Sequence, residues 1–286
     1  MHEENLKNWD EFEKAICQIE AEYEKKKAET AMPVSDLLYR GQPDSKMLLE
    51  TTLERAAQLP VSMSDYYRLI LAARYHIETF TDKDWNIPST EQYEQWLETQ
   101  EHTFILNYES YNYFVYLRHH GFPSPLLDWT ASPYLAAFFA MHKVARGVEN
   151  VSVYVFCERA LDIKDTPSND PVIHRFGPNV KAHRRHYLQQ SQYTICTESK
   201  NGKIVYARHE DVVLMNNTTQ DQLWKFNLPV SERVNFLIKL NKMNINSFSL
   251  FETADSLMDT IATNDILLNN RYLKTQQLVK AQEKGL

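Results

Sequence analysis

The 286-residue sequence has only 6 glycines and 3 cysteines. No run of apolar residues in it approaches the ~20 that a membrane-spanning helix requires. Scarce glycine beside 16 Tyr, 13 Phe and 5 Trp argues against a disordered chain and against an all-β barrel. Cys17, Cys157 and Cys196 are odd in number and widely spaced, which predicts three reduced thiols rather than a disulfide framework or a zinc site. Neither G-x-G-x-x-G nor G-x-x-x-x-G-K-S/T occurs, so the two commonest sequence-readable phosphate loops are excluded. The start Met1-His2-Glu3-Glu4 is acidic and polar, unlike a signal peptide, and predicts a cytoplasmic protein without a membrane partner. With 31 Lys and Arg against 38 Asp and Glu, the formal charge is −7. The chain as a whole therefore lacks an attraction for polyanions.

What is present is helix-rich. Leu6, Trp9, Phe12, Ile16, Ile19 and Tyr23 recur at three- and four-residue steps, so residues 1–31 read as an amphipathic helical extension. A domain over 32–268 and a polar tail over 269–286 follow. Within the domain the pattern predicts a strand from Val34 to Gln42, a helix from Met63 to Thr81 and one long helix from Glu91 to Arg118. An extended Leu126–Thr130 and a buried helix after Ser132-Pro133 come next, since Ser is a favoured N-cap and Pro suits the first helical position. Val151–Phe156 reads as a strand, and Glu158–Val180, with three prolines, as a long loop. Further strands are expected at Tyr193–Thr197, Lys203–Ala207, Val212–Met215 and Leu223–Asn227, with an Asn201-Gly202 hairpin turn. Two helices, Ser231–Met243 and Thr253–Ile266, close the domain. Lacking a βαβ rhythm, the order implies an α+β fold: a single helix-rich domain around a small, mostly antiparallel sheet.

Two segments carry chemistry. Tyr39-Arg40-Gly41 sets a planar cationic donor, suited to phosphate or carboxylate, beside a residue that lets backbone approach closely. In His119-His120-Gly121-Phe122-Pro123-Ser124-Pro125-Leu126-Leu127-Asp128-Trp129-Thr130, Asp128 lies between apolar neighbours, where an ionised carboxylate needs a partner. A buried structural network of His119 and Asp128 is the alternative to a site. Lys181, His183, Arg184, Arg185 and His186 form the densest basic cluster, either a solvated face or a phosphate contact with Tyr187 and Tyr193 as stacking surfaces.

Leu38-Tyr39-Arg40-Gly41-Gln42, Leu53-Glu54-Arg55 and the His119–Ala140 block together resemble the FRG-domain family. Arg185, Gln189 and Tyr193 fit that family's third motif, and Leu228-Pro229 with Ser249-Leu250-Phe251 fits its closing pattern. Tyr39 stands where the family has Phe, Arg118 where it has Gln, and Ser124-Pro125 where it has Thr-Arg. A second, more distant similarity is to ADP-ribosyltransferases of the arginine–serine–glutamate type, folds that often serve as bacterial toxins or anti-phage effectors. That similarity implies NAD as substrate, with Arg40, Gly41, Thr130, Ser132 and Arg185 binding it. Catalysis would fall to Arg40, His119, Asp128 and Gln189, the last standing where the glutamate is expected. A protein or nucleic-acid acceptor would take the ADP-ribose. The competing expectation is a non-catalytic module that uses the same cleft for a nucleotide or nucleic acid, and a docking role for the N-terminal helix is compatible with either.

Overall fold

The computed structural model describes residues 1–31, 33–57, 60–99, 108–160, 170–177, 180, 184–215 and 219–269. The strands are β1 (His2–Asn5), β2 (Leu38–Gln42), β3 (Leu127–Thr130), β4 (Asn150–Arg159), β5 (Val172–Phe176), β6 (Ser191–Lys200), β7 (Lys203–Tyr206) and β8 (Gln220–Pro229). They form one sheet in the order β1-β8-β4-β2-β3-β6-β5, with β7 also on β6. Only β1 runs parallel to its neighbour; the other pairings are antiparallel. The helices are α1 (Trp9–Glu29), α2 (Thr52–Ala56), α3 (Met63–Thr81), α4 (Thr90–Thr99), α5 (Tyr108–His119) and α6 (Pro133–His142). After them come α7 (Arg184–Leu188), α8 (His209–Met215), α9 (Arg233–Lys242), α10 (Ser247–Phe251) and α11 (Ala254–Ala262). The fold is α+β, a helix-rich domain around a mostly antiparallel sheet.

Strand β4 is buried on both sides, which is why it reads as a near-continuous apolar run. Its Val151, Val153, Val155 and Cys157 join a core under α1, α6 and α9, whereas Tyr154 and Phe156 face a second core with α8. A third core forms where α3, α4 and α5 pack on Phe176, Tyr193, Ile195 and Tyr206. The α1–α6–α9 core and this third one share a sheet face. Tyr39 pairs with Thr130, and Asp128 with Tyr193, so these residues lie on that face too, between the two cores.

Helix α6 sits where it does because of Gly41. A Cβ at Gly41 would stand 1.9 Å from the Ala136 carbonyl oxygen and 2.6 Å from the Ala140 nitrogen, so only glycine lets the helix backbone rest on β2. Ser132 caps the helix through its hydroxyl, which accepts from the Leu135 N–H, and Pro133 follows in the first turn.

The structure departs from the sequence-based expectations in several places. Ahead of α1, whose Trp9, Phe12, Ile16 and Ile19 pack into the α6–α9 core, β1 adds an unexpected strand to β8. Strand β1 is short, polar and exposed, so no hydrophobic period marks it. Strand β5 occupies part of the expected long loop, of which 161–169 and 178–179 lie outside the described residues. Val212–Met215 is helical, not extended. His209, Val212 and Val213 are the buried stripe at i, i+3 and i+4, and Leu214 points outward, a helical period hidden by the apolar run. The single helix expected over Glu91–Arg118 contains α4 and α5, with 100–107, and so Phe104, outside the described residues. Lys181, His183 and the tail from 270 onward also lie outside them. Arg184–His186 begin the short helix α7. Among the described residues no helix is long and apolar enough to cross a membrane.

Candidate functional site

Strand β2 keeps five residue pairs with β4, and β3 keeps four with β6, but β2 and β3 meet only at Tyr39 and Thr130. Beyond that bridge the two strands diverge, and a cavity of about 270 Å³ lies over the gap. Its lining includes Arg40, His119, Asp128, Thr130 and Gln189, with Tyr39, Gly41 and Trp129 from the sheet. Ser191 and Tyr193 of β6, and the rings of Phe139 and Phe251, complete it.

Arg40 bridges the divergence. Its Nη1 donates to the Asp128 backbone carbonyl at 2.6 Å, taking the place of a ladder donor that β2 no longer supplies. The Arg40 Nε is sealed from solvent and has no partner among the described residues. Burial pushes the guanidinium's pKa down from its ordinary value; the Asp128 carboxylate raises it, and Arg118 and Arg55 lower it further. Arginine still keeps its charge under such conditions, so the site holds a desolvated cation with donor capacity to spare.

The Asp128 carboxylate is held by Arg118 of α5, which stands one residue before His119. With the Arg118 side chain 18% exposed and that of Asp128 41%, the pair is open to solvent rather than closed into the core, and Asp128 lines the cavity. His119 Nε2 lies 2.9 Å from the Tyr193 hydroxyl, which is 3.3 Å from His186 Nδ1. Burial above all, then the Asp128 charge, drives the Tyr193 pKa far up, so its hydroxyl stays protonated, with a single proton to donate between the two imidazoles. Beneath the floor, the Trp129 indole N–H donates to Thr194 Oγ1 at 2.8 Å, and that oxygen is 2.9 Å from His209 Nε2. Burial, followed by the nearby Arg40 charge, pushes the His209 pKa down to about 3, which keeps this imidazole neutral.

The other expected residues serve mainly the scaffold. Thr130 lines the cavity but donates its hydroxyl to the Gln189 carbonyl at 2.8 Å. Gln189 lines it too, and its amide nitrogen donates to the Leu250 carbonyl at 3.2 Å. Ser132 stands outside the lining, with its hydroxyl spent on the α6 cap. Arg185 is likewise set back and lies 5.6 Å over the Phe251 ring. Phe139, Ser191 and Phe251 were not singled out as site residues from the sequence. Phe251 had a trace there, as the end of the Ser249-Leu250-Phe251 string; Phe139, on a helix apolar on nearly every side, had no period to mark it.

Residues 35–148 match the family model described as the FRG domain. The chain carries an FRG domain. No curated protein and no solved structure matches the chain. The matched FRG segment supplies β2, β3, α5 and α6, and with them Arg40, His119, Asp128 and Phe139; Gln189, Ser191, Tyr193 and Phe251 come from beyond it.

Proposed function

We propose that the FRG-domain cavity binds a nucleotide, that NAD is its substrate, and that the site breaks the bond between nicotinamide and ribose to transfer ADP-ribose. The observation that carries this reading is Arg40: a half-buried arginine whose Nε is sealed from solvent and unsatisfied, in a cavity that also has aromatic walls and an accessible carboxylate. A desolvated arginine suits a diphosphate, and charged hydrogen bonds contribute about 1.5–3 kcal/mol each. Aromatic faces suit a flat ring. In the reaction, the electron pair of the N-glycosidic bond leaves with nicotinamide, and positive charge develops on the ribose. Asp128 is the carboxylate among the lining residues that opposes that charge, and water or an acceptor hydroxyl attacks the freed carbon. The His119–Tyr193–His186 chain would take the nucleophile's proton. Toxins and anti-phage effectors are the kind of protein in which such chemistry serves.

A second reading, binding of a nucleotide or nucleic acid without turnover, is favoured by the occupied state of two groups. Asp128 is neutralised by Arg118, and Gln189 brings an amide instead of a charge. Incubation with NAD, following free nicotinamide and binding in parallel, separates the two. The expected result is nicotinamide release that Asp128→Asn abolishes, with binding weakened about ten- to a hundredfold by Arg40→Ala. Binding without release establishes the second reading, and the absence of both overturns the nucleotide site.

A further inference from the structure

Helix α10 is only five residues long, yet three contacts from around α7 hold its end. Gln189 donates to the Leu250 carbonyl at 3.2 Å, Arg184 Nε meets the Glu252 carboxylate at 2.9 Å, and Arg185 lies over the Phe251 ring. At its start, Asn246 and Ser249 form a reciprocal cap; at its end, Glu252 adopts φ 48° and terminates it. So short a helix has little stability of its own. These contacts fix one side chain over the cavity: Phe251, whose ring stands 6.4 Å from Phe139 at 81°.

We infer that Phe251 is a specificity-determining residue that selects the cationic nicotinamide ring of the dinucleotide, an inference that rests on the nucleotide reading above. A cavity of about 270 Å³ falls short of the ~300–1,000 Å³ typical for a drug-sized ligand, so one half of a dinucleotide enters it. The two halves differ in charge: the nicotinamide ring is a cation, and adenine is neutral. Phe139 and Phe251 line the cavity in an edge-to-face pair, and the Asp128 carboxylate lines the same space. Aromatic faces and a carboxylate both favour the cationic ring. Arg40, on the floor, remains for the phosphate that follows. The three contacts from around α7 lie outside the matched FRG segment, whereas Phe139 and Asp128 lie within it, so the selectivity draws on both parts of the chain.

The test compares NAD, nicotinamide mononucleotide and ADP-ribose, which lacks the ring, by calorimetry on the full chain. Phe251→Leu keeps the apolar bulk and removes the ring face; Phe251→Trp keeps an aromatic. Phe251→Leu is expected to weaken NAD and nicotinamide mononucleotide about tenfold while leaving ADP-ribose within twofold, and Phe251→Trp to restore the preference. Equal weakening of all three ligands would mean a merely structural role and overturn the inference, as would no change in any. Wild-type protein that binds ADP-ribose but gains nothing from the nicotinamide ring leaves the nucleotide site standing and removes only the selectivity. Wild-type protein that binds none of the three removes both.

Discussion

The cavity wall has two origins that differ in kind. From 35–148 come every charged or imidazole group in the lining, Arg40, His119 and Asp128, set on β2, α5 and β3. From the rest of the chain come an amide, two hydroxyls and a ring: Gln189, Ser191, Tyr193 and Phe251. The first group sits against rigid packing, with α6 seated on β2 through a glycine that tolerates no substituent. In the second, Ser191 and Tyr193 ride on β6, while Gln189 and Phe251 are positioned by side-chain contacts between short elements, α7 and α10. The difference teaches that the FRG segment supplies the charged groups of the cavity, while the flanking chain supplies neutral polar groups and a ring.

Gly41→Ala should break the first region most severely. The added methyl meets backbone rather than a side chain that can swing aside, so α6 must lift from β2, at a cost on the order of 3 kcal/mol or more in urea unfolding. An unchanged midpoint would show that the seat of α6 is softer than its geometry.

The next effect tests whether the two regions are joined through the floor. His209 is folded neutral, its pKa pushed down to about 3 from an ordinary value near 6.5. The unfolded chain takes up a proton as pH falls below that ordinary value, and the folded chain does not. Stability is therefore full above it and declines as pH drops toward the folded value. Between pH 7 and 5 the loss should be about 2 kcal/mol for wild type relative to His209→Gln. Parallel pH profiles for the two proteins would mean that the imidazole is open to water.

Smallest is Ser132→Ala, which should cost about 1 kcal/mol through the lost α6 cap and leave ligand affinity unchanged. A fall in affinity with unaltered stability would return Ser132 to the site and blur the division.

How far these regions were legible in the sequence follows the same line. The Ser132-Pro133 helix start, the β2 and β3 strands and the Asn201-Gly202 turn are local, encoded by caps, alternation and turn chemistry within a few residues. Strand β1 is different, because its pairing with β8 spans more than 200 residues of chain and leaves no trace in His2-Glu3-Glu4-Asn5. Arg40 and Asp128 were expected in one site through the distant similarity to ADP-ribosyltransferases, whereas Arg118 as the partner of Asp128 was not, since the pairing arises from how α5 runs into β3. Phe251 depends on the path of the last helices, which no periodicity reveals.

Arg40 also acts as a stitch in a seam. Because its Nη1 closes the gap between β2 and β3 by holding the Asp128 carbonyl, removing the guanidinium should undo that stitch. The amide hydrogens of Leu127–Thr130 should then exchange faster in Arg40→Ala than in the wild type, a gauge of how far one side chain holds the seam.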